Sequence, residues 1–425
     1  MRLPKPVAAV IEALRFSGRS LAALETLRDA EWREVLIFCD RAQLTLVLAL
    51  TPPPGPDWVR RRLAQNLANN TVRRARLREV FSEIAAALDA HGIKPIVLKG
   101  FANEKSYAPD PRARVQYDID LFCPETAAAA RDALREIGYE SLGGTGHLPT
   151  DHLPPLVRKT GWEWRGDFFD PEIPFPVDLH FRLWDDATEC LPASGLEAFP
   201  QRQVWEEWEG LRFRALCPAD ALGYASLHLL RHLLRGDARP YHVYEVAWFL
   251  HHHAEAHTFW DEWSSLHSES LRRLEAISFR LAEAWFGCGL HPVARREAEK
   301  LPAAVALWFE HYAYSGLESW SRPNKDELWL HLALVESGRE RRRILRRRLL
   351  PTTLPGPVDS VYVPETRMTP WRKARKRLRY ALYLAARGWH HARAFAPLLY
   401  HGFTWWRRRR GLSRRPRRID SRLLR

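Results

Sequence analysis

Tyr117-Asp-Ile-Asp-Leu-Phe-Cys123 alternates polar and apolar residues as a half-buried strand does. Side chains two apart on a strand share a face, so Asp118 and Asp120 project together. Two carboxylates on one face repel unless a cation sits between them, and Mg²⁺ takes such oxygens together with substrate phosphates. A second apolar alternating run, Pro176-Val-Asp-Leu-His-Phe-Arg-Leu183, carries Asp178, where an unpaired charge is costly. A third carboxylate on a neighbouring strand completes the ligand set of a two-metal site. Asp118, Asp120 and Asp178 are therefore the expected catalytic and metal-binding residues, with Mg²⁺ or Mn²⁺ as the ion.

Upstream, Lys94-Pro-Ile-Val-Leu98 is a short β-branched run that reads as a strand ending at Lys99-Gly100. A short helix over Phe101–Tyr107 is expected next. At such a junction Gly100 permits close backbone approach, and the free N–H groups of the helix start can hold an anion. Lys99 adds positive charge for a triphosphate, and Arg114 is a second candidate phosphate clamp. Beyond the Asp118 strand, Thr126–Ile137 reads as a helix stopped by Gly138, and Trp162-Glu-Trp164 as a further strand. This alternation of strands and helices predicts a small α/β unit.

Val97-Leu-Lys-Gly100, Tyr107-x-Pro-Asp-Pro111, Arg114, Asp118-Ile-Asp-Leu121 and Val177-Asp-Leu-His180, in that order, resemble the uncharacterised bacterial nucleotidyltransferases of the polymerase-β superfamily. The resemblance covers roughly residues 60–250 and, more weakly, the helical remainder. It implies an α+β fold with a mixed-sheet nucleotidyltransferase (polymerase-β-like) core between helical N- and C-terminal regions. It also implies metal binding by Asp118, Asp120 and Asp178, and nucleotide binding around Gly100, with Lys99, Arg114 and His180 at matching positions. The implied reaction moves a nucleoside monophosphate from an NTP to a hydroxyl of an acceptor that the sequence does not name. A non-catalytic nucleotide-binding or scaffold protein, and an RNA-directed transferase, are the competing readings. Two features depart from the wider pattern. Phe101 stands where a second Gly or a Ser is usual, and the Gly100-to-Asp118 spacing is longer than in minimal members.

Around this core, residues 1–56 read as a helical segment broken at Thr51-Pro-Pro-Pro-Gly-Pro56. The core, 57–217, opens with a long helix over Asp57–Ala90 that turns Leu63, Leu67, Val72, Leu77, Val80, Ile84 and Leu88 inward. A helical domain spans 218–349, with helices near 218–234, 241–256, 268–287 and 299–314, and a basic, aromatic helix and tail span 350–425. His228 and His232 have a zinc-compatible spacing and could line a nucleotide cleft, but the favoured reading is hydrogen-bonded core histidines, and His251-His-His253 with His257 read as a solvated helix end.

The net charge of +14 is unevenly placed. Residues 341–425 hold 25 Lys and Arg against 3 acids, whereas the preceding 340 hold 40 against 48. Within the basic region Leu378, Leu382, Ala385, Trp389, Ala392 and Ala396 recur at fours and threes, a helix face expected to pack on the acidic body. Residues 407–425 suit an anionic membrane surface or RNA. Five scattered cysteines without a C-x-x-C pair argue against a disulfide framework and for a reduced, cytoplasmic protein, peripheral at the membrane if the tail binds one. Glu12 and Arg15 interrupt the first apolar stretch, which reads as an amphipathic helix and not a signal peptide, and no run is long enough to span a bilayer. The oligomeric state is left open.

Overall fold

A computed structural model describes residues 3–51, 54–142, 151–350, 362–364 and 369–414. Among them, seven strands form one mixed sheet: β1 (Ile96–Val97), β2 (Ile119–Phe122), β3 (Tyr139–Ser141), β4 (Leu156–Arg158), β5 (Val177–His180), β6 (Val204–Trp208) and β7 (Leu211–Ala215). Their spatial order is β3-β4-β5-β2-β1-β7-β6. β2 is central, antiparallel to β1 and parallel to β5, with Asp120 opposite Asp178 in the register. Helices surround the sheet, so the fold is α+β.

The strands around β2 and β5 agree with the sequence pattern, but Trp162-Glu-Trp164 does not join the sheet. Gly161 instead bonds the carbonyl of Tyr362, and the Trp162 indole donates to Asp170 (2.8 Å). The β6–β7 hairpin was not expected, although it carries its own signal. Trp205, Arg212 and Arg214 alternate outward around the two-residue turn Glu209-Gly210, both at positive φ (48° and 83°). β7 pairs in parallel with β1, which sets the strand ending at Lys99 between two partners.

The long helix spans Asp57–Ala90 as its pattern predicts, but its buried stripe is partly polar. Val72 points to solvent, while Asn66, Asn70 and Arg73 are buried. The reason lies in the loop before β2, whose backbone needs donors once it is buried. Asn70 donates to the carbonyls of Arg112 (2.8 Å) and Arg114 (3.1 Å), and Arg73 to those of Gln116 (3.1 Å) and Ile173 (2.6 Å). The Arg73 guanidinium also lies 4.2 Å over the Phe175 ring. The helix thus clamps the chain two residues before Asp118.

One apolar core lies in the sheet, where Phe81, Ile84 and Leu88 of the long helix meet Ile119, Leu121, Val177 and Leu179. A second joins the N-terminal helices Lys5–Ala13 and Asp29–Ala42 to the helices that follow residue 217, among them Pro218–Arg235, Pro240–His252 and Glu269–Phe286. The expected 299–314 helix is the shorter Ala303–Tyr312, with Pro302 at its N-cap, and a separate helix, Pro292–Glu299, precedes it.

The basic C-terminal region forms a helix over Pro370–Arg414, but the opposite face from that expected docks on the body. Ala394, Leu398 and Trp405 are buried, and Tyr312 contacts Thr404 (3.3 Å). Leu378, Leu382, Ala385, Trp389, Ala392 and Ala396 face outward. A helix docks through the face that fits its neighbour, and here Gly402 lets the indole of Trp329 come close. Residues 407–414 continue the helix, and 415–425 lie outside the described residues.

Candidate active site

Parallel pairing of β2 with β5 sets Asp120 beside Asp178, and Asp118, two residues earlier, shares their face. One carboxylate oxygen from each of the three lies within 4.8 Å of the others. Asp120 is buried, and the Oδ1 atom of Asp178 is buried with no hydrogen-bond partner among the described residues. An orphaned buried carboxylate oxygen facing two more carboxylates is the donor set of a hard divalent cation, so the residues present fit Mg²⁺ or Mn²⁺.

The charges sort by surroundings. Asp178 is pushed up to about 7, chiefly by burial and then by the charges of Asp120 and Asp118. Burial also opposes ionisation of Asp120, but Lys99 and His180 outweigh it and hold that carboxyl at about 2. Lys99 Nζ lies 3.2 Å from Asp120 and 3.6 Å from Asp118, and these carboxylates raise its pKa despite its burial. His180 stands behind Asp120, with Nε2 3.1 Å from Oδ1 and Nδ1 3.4 Å from Asp151. Against the cost of burial, the two carboxylates raise it to about 9. Arg231 closes the series at 2.6 Å from Asp151 and donates to the Leu183 carbonyl (2.9 Å). Lys99, Asp120, His180, Asp151 and Arg231 thus alternate in sign and lock Asp120 in place.

Gly100 takes φ +78°, and a Cβ there would come within 2.5 Å of the Gln116 amide. That amide accepts from the Phe101 N–H (2.9 Å) and donates to the Asp118 carbonyl (2.7 Å), tying the turn to the β2 entrance. The expected continuous helix is instead a 3₁₀ turn, Gly100–Asn103, and a single α turn, Glu104–Tyr107. The Phe101 N–H is therefore engaged and not open to an anion. The Phe101 ring stacks on Trp208 at 4.4 Å in the sheet core, which accounts for a bulky residue after the glycine. Gly100→Ala is expected to cost about 1–2 kcal/mol, through positive φ and displacement of Gln116. Chemical denaturation checks this.

A cleft of about 190 Å³ opens beside this cluster, lined by Lys99, Gly100, Arg114, Asp118, His228 and Arg239 among others. Arg114 is on the wall but pairs with Glu245 (2.7 Å). His228 and His232 line the cleft instead of filling a core; His228 Nε2 is 3.4 Å from Lys99 Nζ and 3.2 Å from His232 Nε2. His242 brings a third ring nitrogen within 4.8 Å of theirs, and burial holds His228 and His242 neutral. Gln116, Asp151, Arg231, Arg239 and His242 escaped the sequence reading. None belongs to a short motif, and only the charge in the apolar run Leu229-Leu-Arg-His-Leu233 hinted at Arg231. At the helix end, His251 and His252 are exposed as expected, with His252 stacked on Trp248 (3.9 Å).

No curated protein and no solved structure gives a significant match to the chain. The family described as "uncharacterised nucleotidyltransferase" matches residues 28–287, a span that contains every strand of the sheet, the carboxylate cluster and the cleft-lining helices. The match covers more than half of the chain, and on this ground the protein belongs to the uncharacterised nucleotidyltransferase family.

Proposed function

We propose that the protein transfers a nucleoside monophosphate from an NTP to a hydroxyl, using Mg²⁺ or Mn²⁺ held by Asp118, Asp120 and Asp178. The observation that carries this reading is the register that sets Asp120 against Asp178 on adjacent parallel strands, with Asp118 on the same face. It is the arrangement expected of a polymerase-β-like core. Asp118, Asp120 and Asp178 would hold the divalent cation, which would supply charge for the triphosphate oxygens and acidify the attacking hydroxyl. Lys99 pairs with Asp118 and Asp120, and its ammonium would be free for the triphosphate once a cation took its place. Gly100 gives the phosphates close access, and Arg114, Arg239 and His228 face them from the cleft wall. Asp178 orients the acceptor hydroxyl, while His180 holds Asp120 in position.

A non-catalytic nucleotide-binding or scaffold role is the second reading. It is favoured by Lys99 already pairing with Asp118 and Asp120 and by Arg114 being held by Glu245. Incubation with α-labelled NTPs, Mg²⁺ and a panel of hydroxyl acceptors separates the two. Label incorporation that disappears in Asp118→Ala/Asp120→Ala supports transfer. Nucleotide binding without carboxylate-dependent incorporation for any acceptor sinks it in favour of the scaffold.

A further inference from the structure

The outward face of the C-terminal helix exposes a run of large apolar side chains. Leu378, Leu382, Trp389, Leu399, Phe403 and Trp406 lie on one stripe, with small Ala385, Ala392 and Ala396 between them. At 1.5 Å per residue it runs about 42 Å. Trp389 is 67 % exposed and Leu399 60 %, whereas the helix spends its other face, through Leu398 and Trp405, on the body. So long an apolar strip on an exposed surface marks a contact site.

Charge chooses the occupant. The helix carries 13 Lys and Arg and not one Asp or Glu. A second copy laid along the stripe would oppose 13 cations with 13 more, so self-pairing is disfavoured. RNA satisfies the cations and its bases could stack on Trp389, Phe403 and Trp406, but it offers no apolar layer to Leu378, Leu382, Leu399 and the alanines between them. An anionic bilayer offers both an acidic headgroup layer and an apolar layer beneath it. No described helix is long and apolar enough to cross a membrane, so the contact is along the surface. The neighbouring helix Gly338–Leu349 repeats the composition, with seven arginines and Leu349 and Leu350 exposed at its end. Between the two helices lies an apolar groove of about 580 Å³, floored by Leu328 and Leu398.

We infer that the outward face of Pro370–Arg414 docks the protein on an anionic lipid surface, with Leu382, Trp389, Leu399, Phe403 and Trp406 in the headgroup–acyl boundary. The test is co-sedimentation of the full chain with phosphatidylcholine vesicles and with vesicles containing about a quarter phosphatidylglycerol. Binding is expected for the anionic vesicles alone, and it weakens in about 0.5 M salt. Leu382→Glu/Phe403→Glu is expected to lower it about tenfold or more, the factor for losing large apolar side chains from the interface. Both sites are exposed, so circular dichroism should stay native, and Leu382→Trp/Phe403→Trp should retain binding. Absence of binding to anionic vesicles, or binding unmoved by the double glutamate variant, overturns the inference. It is also overturned if the double variant instead dissolves a dimer, or if the wild type binds an oligoribonucleotide and no vesicle.

Discussion

Asp178→Asn is expected to abolish nucleotidyl transfer, by about a thousandfold or more, while raising the melting temperature of the cation-free protein at pH 8. On the proposed reading, the first effect follows from replacing a charged ligand carboxylate by a neutral amide and losing the group that would orient the acceptor. The second follows from linkage. A carboxyl near 7 in the folded state, against an ordinary 3.8, binds its proton more tightly folded than unfolded. The stability tied to that proton begins to be lost above pH 4 and is fully lost above pH 7, of the order of 4 kcal/mol for a group this buried. His180 runs in the same direction over a higher window. Its pKa is raised from 6.5 to about 9, so the stability it adds is complete below 6.5 and disappears as pH rises through 9. The wild type should thus lose stability steadily from about pH 4 to 9, and Asp178→Asn should keep only the upper part of that loss. Mg²⁺ should raise the wild-type melting temperature more at pH 8 than at pH 5, because the cation offsets a charge that is absent in acid. Scanning calorimetry at both pH values with and without Mg²⁺ decides this. An Asn variant that melts lower than wild type at pH 8 would show that Asp178 is not held under repulsion.

Arg73→Ala should be among the most destabilising single substitutions in the chain, by about 3–5 kcal/mol. It leaves the carbonyls of Gln116 and Ile173 without their donors and opens a void against Phe175. Burial lowers the guanidinium to about 10, so it remains charged at neutral pH and its cost is met by those carbonyls and the aromatic face. Arg73→Lys should recover less than half of the loss, since one ammonium does not reproduce a planar fork across two carbonyls. Because Gln116 bridges the Gly100 turn and Asp118, kcat should fall more than stability alone explains. Urea denaturation with kinetics on the folded fraction checks both. A loss below about 1 kcal/mol would mean that the loop before β2 holds itself.

Much of the site was legible from local pattern. A period of two puts Asp118 and Asp120 on one face of a strand and sets Asp178 in a second apolar alternating run, which is enough to mark all three as candidate ligands. The long helix was readable to its ends, since Pro56 and His91-Gly92 mark them. The fate of its polar stripe was not, because Asn70 and Arg73 are explained only by carbonyls 42 to 100 residues away. The same limit hid the relay behind Asp120. Asp151 and Arg231 look like ordinary charges until the fold pairs them between His180 and the Leu183 carbonyl.

The sequence by itself determined that this chain has an Asp-x-Asp strand, a third acidic strand, a Lys-Gly turn and a strongly basic, amphipathic C-terminal helix, since each depends only on spacing along the chain. Only the tertiary structure decided which strand neighbours which, that Phe101 fills the sheet core, and that His228 and His232 line the cleft. It also decided which face of the C-terminal helix is outward. The apolar period marks a face without naming its partner, and here the body took the other side, because Gly402 and Leu398 fit against Trp329 and its neighbours.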